Sequence, residues 1–271
     1  MKKLGIIAGS GTLPTQIVEA CVAQARPYFI LGIEGHAEEA LLSGRPHKTL
    51  PLGAVSESLK VLREEKVEDI IMAGRVGRPS LSSLAMDKVT MRFIAKFGAH
   101  VFHGDDALLS AVAEFLEGEG FAVVGVADVM SEALAPKGVL GKVKPGKKQL
   151  ADIAKGMQAA HALGAMDIGQ AVVVEEEYIL AVEAAEGTAG LIARAASLRK
   201  LAAPSGVLVK AKKPTQDRRI DLPTIGPDTI EQARAAGLAG VAVEAGGVLV
   251  LDLKQVIALA DRHGLFVVGT A

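Results

Sequence analysis

Short apolar runs alternate with amphipathic segments along the whole chain. Residues 4–8, 28–33 and 69–73 are apolar runs of strand length, and turn-forming residues bound them. Residues 56–65 and 105–117 instead repeat their apolar side chains at the helical period. This alternation predicts an α/β protein in which helices cover a largely parallel sheet.

The pattern is interrupted once, after residue 131. Residues 132–148 are rich in glycine, lysine and proline, which is typical of a linker. Alternation resumes from residue 149, where 171–174 and 178–182 read as paired strands. A length of 271 residues suits two domains. We therefore predict an N-terminal Rossmann-like domain (1–131), a linker (132–148) and a C-terminal α/β domain (149–271).

Composition limits the functions open to the chain. Thirty basic and 31 acidic residues leave no basic excess, so we expect no nucleic-acid partner. The single cysteine, Cys21, excludes an internal disulfide and fits a reducing compartment. No apolar run approaches the ~20 residues of a membrane span, and the N-terminus lacks a secretory leader pattern. These features predict a cytoplasmic protein.

A glycine-rich turn follows the first predicted strand. It reads Gly9-Ser10-Gly11-Thr12-Leu13-Pro14. Glycines let a backbone approach a phosphate, and the following helix offers free N–H groups. Pro14 occupies the place of the third glycine of the dinucleotide fingerprint, which disfavours a nicotinamide or flavin dinucleotide. The turn favours a nucleotide, with a plain strand-to-helix connection as the alternative.

Other candidates in the first domain also follow predicted strands or begin helices. Arg75 follows the strand 69–73 and has the geometry to hold a phosphate oxygen, although a surface arginine is equally consistent with its spacing. Glu34 ends the second strand, where a ribose-binding acid is expected. His100, His103, Asp105 and Asp106 suggest a metal site, but helix capping by the aspartates and substrate contact by Gly104 and Asp105 are favoured.

Two loops of the second domain carry acids and glycines. Residues 167–170 and 183–188 offer hard oxygen donors suited to Mg²⁺. Capping of the next helix by Thr188 explains the second loop equally well.

The loop 210–229 combines the groups that cleavage of a phosphoanhydride requires. Cations neutralise a diphosphate, a carboxylate holds a metal or orients water, and prolines fix the backbone. A solvated charged loop is the alternative. The candidate side chains are Lys210, Lys213, Gln216, Asp217, Arg219 and Asp221.

Six motifs, taken in order, carry a resemblance that spans essentially the whole chain. They are residues 9–14 (GSGTLP), 104–109 (GDDALL), 140–143 (LGKV), 167–170 (DIGQ), 183–188 (EAAEGT) and 221–226 (DLPTIG). The ordered set resembles the LpxI-type UDP-2,3-diacylglucosamine pyrophosphatases, and the last motif is the most specific.

The resemblance implies a catalytic C-terminal domain and hydrolysis of a lipid-linked diphosphate. UDP-2,3-diacylglucosamine would give UMP and 2,3-diacylglucosamine 1-phosphate (lipid X) in lipid A biosynthesis, with water attacking the α-phosphorus and Mg²⁺ assisting. The family's critical acid falls on Asp221, as metal ligand or as the group that orients water, and Asp217 is a second candidate ligand.

The remaining assignments concern contacts with the substrate. We expect a homodimer and peripheral contact with the inner face of the inner membrane. The rival functions are a UDP-sugar transferase and a non-catalytic module that binds a nucleotide or lipid. The expected substrate-binding residues are Gly9, Ser10, Gly11, Thr12, Leu13, Arg75, Gly104, Asp105, Gln170, Gly187, Thr188, Lys210, Lys213, Gln216 and Arg219.

Overall fold

The computed structural model divides into two compact units, Met1–Ser131 and Glu132–Ala271. It describes residues 1–77, 87–101, 105–199, 204–214, 217, 219–220 and 222–270, with the backbone alone at 99–101 and 105–107. No helix in these ranges has the length and apolar character required to cross a membrane.

The first unit contains a five-stranded sheet in which every paired strand is parallel. Its order is β3-β2-β1-β4-β5, the order of Rossmann sheets. The sheet is apolar because helices cover it, and Leu4, Ile6, Ile30, Ile70 and Ile71 are fully buried. The strands are β1 (Leu4–Ala8), β2 (Tyr28–Ile33), β3 (His47–Leu50), β4 (Asp69–Ala73) and β5 (Ala122–Val123).

The helices of the first unit partly follow the predicted pattern. Pro14 lies in the first turn of α1, where its fixed φ and missing N–H cost nothing. The helices predicted over 56–65 and 105–117 are present, with each end shifted by at most one residue. The helices are α1 (Leu13–Ala23), α2 (Glu39–Leu42), α3 (Val55–Glu64), α4 (Lys88–Val101), α5 (Asp105–Gly118) and α6 (Val126–Val129).

The second unit contains a mixed six-stranded sheet of order β6-β13-β11-β9-β7-β8. Strands β9, β11 and β13 run parallel, whereas β7 is antiparallel to both β8 and β9. A separate parallel pair joins β10 to β12. The strands are β6 (Gly138–Val139), β7 (Ala171–Glu175), β8 (Tyr178–Val182), β9 (Val207–Lys210), β10 (Thr224–Ile225), β11 (Gly240–Glu244), β12 (Leu249–Val250) and β13 (Phe266–Thr270).

Two apolar cores lie on opposite faces of this sheet. On β7, Ala171 and Val173 join one core while Val172 and Val174 join the other, as alternation along a strand requires. Helix α7 packs on the second of these faces and contributes Ile153. The helices are α7 (Lys147–Ala165), α8 (Gly187–Leu198), α9 (Pro227–Ala235) and α10 (Leu253–His263).

Residues 132–148, which were expected to form a linker, all fall within the second unit. Strand β6 pairs with β13 in an antiparallel arrangement. Leu140 packs against one core and Val143 against the other. Glycine, lysine and proline give this segment the composition of a linker, but Leu140 and Val143 attach it to the sheet.

Candidate active site

Turns at the carboxyl ends of β1 and β4 lie against each other in the first unit. Ser10 and Arg75 exchange backbone hydrogen bonds of 2.9 and 2.8 Å, and Ser10 Oγ donates to the Arg75 carbonyl at 3.1 Å. The fold therefore brings the glycine-rich turn and Arg75 together, as expected for neighbouring parallel strands.

The glycines of these turns serve two different purposes. A Cβ on Gly9 would lie 2.4 Å from the Arg75 carbonyl oxygen, and one on Gly74 would lie 2.8 Å from the Gly9 carbonyl carbon. These two glycines thus allow close approach of the two turns. Gly11, with φ +100°, faces open space, so a ligand can approach the backbone there.

A carboxylate lies beside Gly11 at the start of α1. The Gly11 amide donates to Glu38 Oε1 at 3.0 Å. The acid predicted from the sequence was instead Glu34, which is exposed and whose amide donates to the Leu50 carbonyl. No motif in the sequence marks Glu38, because its carboxylate reaches the turn only through the path of the loop after β2. His36 Nε2 in the same loop accepts from the Gly77 amide at 2.9 Å.

Gly104 lies outside the described residues, as does His103 of the suggested metal cluster. The backbone of Asp105 begins α5, in agreement with its expected place at a helix start.

A buried polar cluster lies at the carboxyl edge of the second sheet. Lys210, 5% exposed, ends β9, and its Nζ donates to Thr188 Oγ1 at 2.8 Å and to the Thr224 carbonyl at 3.1 Å. Thr188 Oγ1 donates in turn to Glu183 Oε1 at 2.5 Å. A buried ammonium is tolerated when its partners are ordered in this way.

Glu183 completes the cluster, although it was considered only as an oxygen donor for Mg²⁺. It is 6% exposed, and its Oε2 accepts from the Gln170 amide at 3.1 Å. A Cβ on Gly169 would lie 2.2 Å from the Glu183 carbonyl oxygen, which explains the glycine. Because both carboxylate oxygens are engaged, Glu183 acts here as a partner of Thr188 rather than as an open metal ligand.

Two expected contact residues take defined places beside this cluster. Gly187, with φ +73°, begins α8, and Thr188 follows it inside the helix rather than capping it. Among the described residues, no group donates to the buried side-chain Oε1 of Gln170. This oxygen is therefore a buried acceptor whose hydrogen-bonding capacity is unsatisfied by the described residues.

Two cations of the loop after β9 are paired with acids. Lys213 Nζ contacts Asp167 Oδ1 at 2.6 Å. Arg219 binds Asp217 through two nitrogens, with Nη2 to Oδ2 at 2.7 Å and Nε to Oδ1 at 3.1 Å. The hydrogen bond from Arg219 holds the pKa of Asp217 below its ordinary value.

A second acid, Glu244, fixes the start of the same loop and was not found by sequence reasoning. Its Oε2 accepts from the Lys212 amide at 3.1 Å and lies 3.0 Å from His161 Nε2. Glu244 ends β11 beside β9, so only the strand order brings it to this edge.

The described residues do not by themselves form a metal site. They contain no group of three or more histidine, cysteine, aspartate or glutamate side chains placed to hold a metal ion. Arg219 occupies both oxygens of Asp217. Gln216 and Asp221, the principal candidates in this loop, lie outside the described residues.

The first unit has the Rossmann strand order and the second is also α/β, and each gathers polar groups at the carboxyl edge of its sheet. These features define a two-domain α/β protein of the ligand-binding or enzymatic class. Comparison with family models identifies the protein family within this class. The LpxI N-terminal domain matches residues 3–133, and the LpxI C-terminal domain matches residues 136–268. The chain belongs to the LpxI family, which confirms the resemblance seen in its motifs.

A curated relative supports the same assignment. The protein named UDP-2,3-diacylglucosamine pyrophosphatase LpxI, from Caulobacter vibrioides, is 42% identical over 278 aligned positions. The alignment covers 99% of this chain and 98% of the relative.

Proposed function

We propose that this protein hydrolyses the diphosphate of UDP-2,3-diacylglucosamine to UMP and 2,3-diacylglucosamine 1-phosphate in lipid A biosynthesis. The observation that carries the proposal is the 42% identity to a pyrophosphatase of that name along almost the full length of both chains. Water attacks the α-phosphorus in the proposed reaction, so the oxygen from water enters UMP.

The charged edge of the second sheet suits the anionic part of this substrate. Lys210 is buried and its Nζ is held by hydrogen bonds to two oxygen atoms, so it presents a positive charge without reorganisation. Lys213 and Arg219 add positive charge on the loop that leads to Asp221. Their partners, Asp167 and Asp217, hold them in place until a diphosphate competes for them.

The turn of the first unit suits a neutral part of the substrate. Because the Glu38 carboxylate lies at the Gly11 amide, a phosphate at that point would meet a negative charge. A carboxylate is instead a good acceptor for hydroxyl groups. We therefore assign the turn 9–13 to the ribose of the nucleotide rather than to its phosphates.

A magnesium requirement is a separate proposal, supported by the motif that contains Asp221. Mg²⁺ would neutralise charge on the attacked diphosphate. Asp221 would hold the ion or orient the water, and Asp217 contributes only if Arg219 releases it.

The test is UMP release from purified protein, with Mg²⁺ and with EDTA. We expect metal-dependent release, incorporation of ¹⁸O from water into UMP, and a loss of at least ~10³-fold in Asp221→Asn. Asp228→Asn is the matched control, because it makes the same chemical change at an exposed position seven residues away.

Other outcomes select the rival functions. A folded protein that binds the lipid and releases no UMP is a binding module. UMP release only when an acceptor alcohol is added identifies a transferase. Retained activity in Asp221→Asn would move the chemistry away from this loop.

Assembly and location stay predictions. We propose a homodimer in the cytoplasm, and sedimentation equilibrium of the purified protein tests the oligomeric state.

A further inference from the structure

We propose that a lysine-rich margin of the second sheet docks the protein on an anionic lipid bilayer. This margin, residues 137–150, is called the lysine edge below. The inference rests on the proposed function in one respect, since a diacylated substrate resides in a membrane.

The charge of the lysine edge is concentrated and of one sign. No aspartate or glutamate occurs between Glu132 and Asp152, although the chain as a whole has a net charge of −1. All five lysines of the segment are exposed, namely Lys137, Lys142, Lys144, Lys147 and Lys148.

The fold turns these lysines outward. Strand β6 is the last strand on its side of the six-stranded sheet. The segment then crosses the margin of the sheet, because Leu140 packs against one core and Val143 against the other. Lys142 and Lys144 flank the partly buried Val143 and are exposed.

Few carboxylates neutralise this surface. Lys148 pairs with the exposed Glu176 at 2.9 Å. Asp261 Oδ1 accepts from the Lys142 backbone amide at 2.7 Å, which fixes the loop. Within the described part of the chain, the ammonium groups of the other four lysines form no ion pair.

Two of the lysines oppose local helix stability. Lys147 and Lys148 are the first residues of α7, and the first turn of this helix contains no acid. A cation at the positive end of a helix costs about 0.3–1 kcal/mol. A sequence selected for helix stability alone would place acids there, so these lysines point to a contact with an anionic partner.

The lysine edge also exposes apolar side chains beside its charges. Val139 is 38% exposed and Leu150 is 53% exposed. The segment contains no aromatic residue on which a base could stack. Clustered lysines with interspersed aliphatic groups fit a bilayer of anionic lipid better than a nucleic acid.

The test compares two triple variants with equal net charge. One is Lys142→Gln with Lys144→Gln and Lys147→Gln. The control is Lys48→Gln with Lys60→Gln and Lys155→Gln, which neutralises exposed lysines elsewhere. Binding is measured by co-sedimentation with phosphatidylcholine vesicles, with and without phosphatidylglycerol.

We expect wild type and control to bind the phosphatidylglycerol vesicles in a salt-sensitive manner. The lysine-edge variant should bind on the order of 100-fold more weakly. Both variants should release UMP equally from detergent-dispersed substrate. Because vesicle binding requires no turnover, the docking proposal and the proposed hydrolysis fail independently.

Three results would overturn the proposal: wild-type binding by the lysine-edge variant, equal losses in both variants, or equal binding of wild type to vesicles without phosphatidylglycerol. Tighter binding of the lysine edge to a single-stranded oligonucleotide than to anionic vesicles would assign it to nucleic acid instead.

Discussion

Individual buried side chains show most clearly what the sequence could not predict about the candidate site. Lys210 and Thr188 were expected at the site from their loops, and the structure places them in contact. Glu183 joins them by accepting a hydrogen bond from Thr188, five residues later in the chain. Glu244 belongs to a separate strand, β11, and accepts from the Lys212 amide. Motifs can identify the loops, but only the strand order determines which side chains meet.

At Thr188 we predict that the hydroxyl is essential to this cluster. Thr188→Val keeps the shape but removes the group that links Lys210 to Glu183, and it should lower the free energy of unfolding by about 1–3 kcal/mol. UMP release should fall as well. Urea unfolding and turnover measure the two effects, and Thr188→Ser should restore both. Equal stability of the valine variant would contradict this role.

At Asp87 we predict a stability contribution that depends on pH. Its carboxylate accepts backbone N–H groups from Val89 and Thr90 at the start of α4 and from Ser56 near the start of α3. Burial raises the pKa of Asp87, but the hydrogen bonds from Thr90 and Ser56 outweigh it, and the net pKa lies below the ordinary 3.8.

Because that pKa is lowered, the contribution is present above the unfolded value and is lost as pH falls through the folded value. Asp87→Ala should cost about 1–2 kcal/mol at neutral pH and progressively less below 3.8. Urea unfolding across this range measures the difference. A destabilisation by Asp87→Ala that does not change with pH would contradict the prediction. Asp228→Ala, at an exposed position, is the control.

At the scale of elements, the apolar pattern located the long elements well. The predicted bounds of β1, β2, β4 and β8 agree with the structure. The apolar pattern did not predict β3, whose first three residues are exposed and polar, or β10, which has two residues. Such strands contain too few buried side chains to produce a periodic signal, and only their partners define them.

The β7–β8 hairpin has a strained turn that can be improved. Glu175 pairs with Tyr178, so the turn consists of Glu176 and Glu177, with φ of 51° and 58°. Both values lie in the left-handed region, which glutamate adopts at a cost. Asparagine followed by glycine is the preferred sequence for such a turn.

We therefore predict that Glu176→Asn with Glu177→Gly raises the free energy of unfolding by about 1 kcal/mol. The exposed Lys148–Glu176 pair is lost, but such pairs contribute little. Thermal unfolding measures the gain. Glu19→Gly is the control within α1, where the same glycine should destabilise by about 1 kcal/mol. Destabilisation by both changes would refute the strain argument.

For the whole molecule, the two units correspond to separate sets of core residues. Both cores that flank the second sheet consist entirely of residues from 135 onward. We predict that residues 132–271 alone unfold cooperatively in urea, because each unit buries its own apolar surface. Gradual unfolding, with strong binding of a hydrophobic dye in the absence of urea, would contradict this independence.

Because β6 pairs with β13, the two sheets can be completed at different times during synthesis. The second sheet is complete only when residues 266–270 have been synthesised and pair with residues 138–139. All strands of the first sheet, in contrast, lie within the first 123 residues. On the ribosome, the first unit can therefore fold while the second still lacks its final strand. A message truncated before codon 266 would yield a sheet with unpaired edges at β6 and β11, a form prone to aggregation and proteolysis.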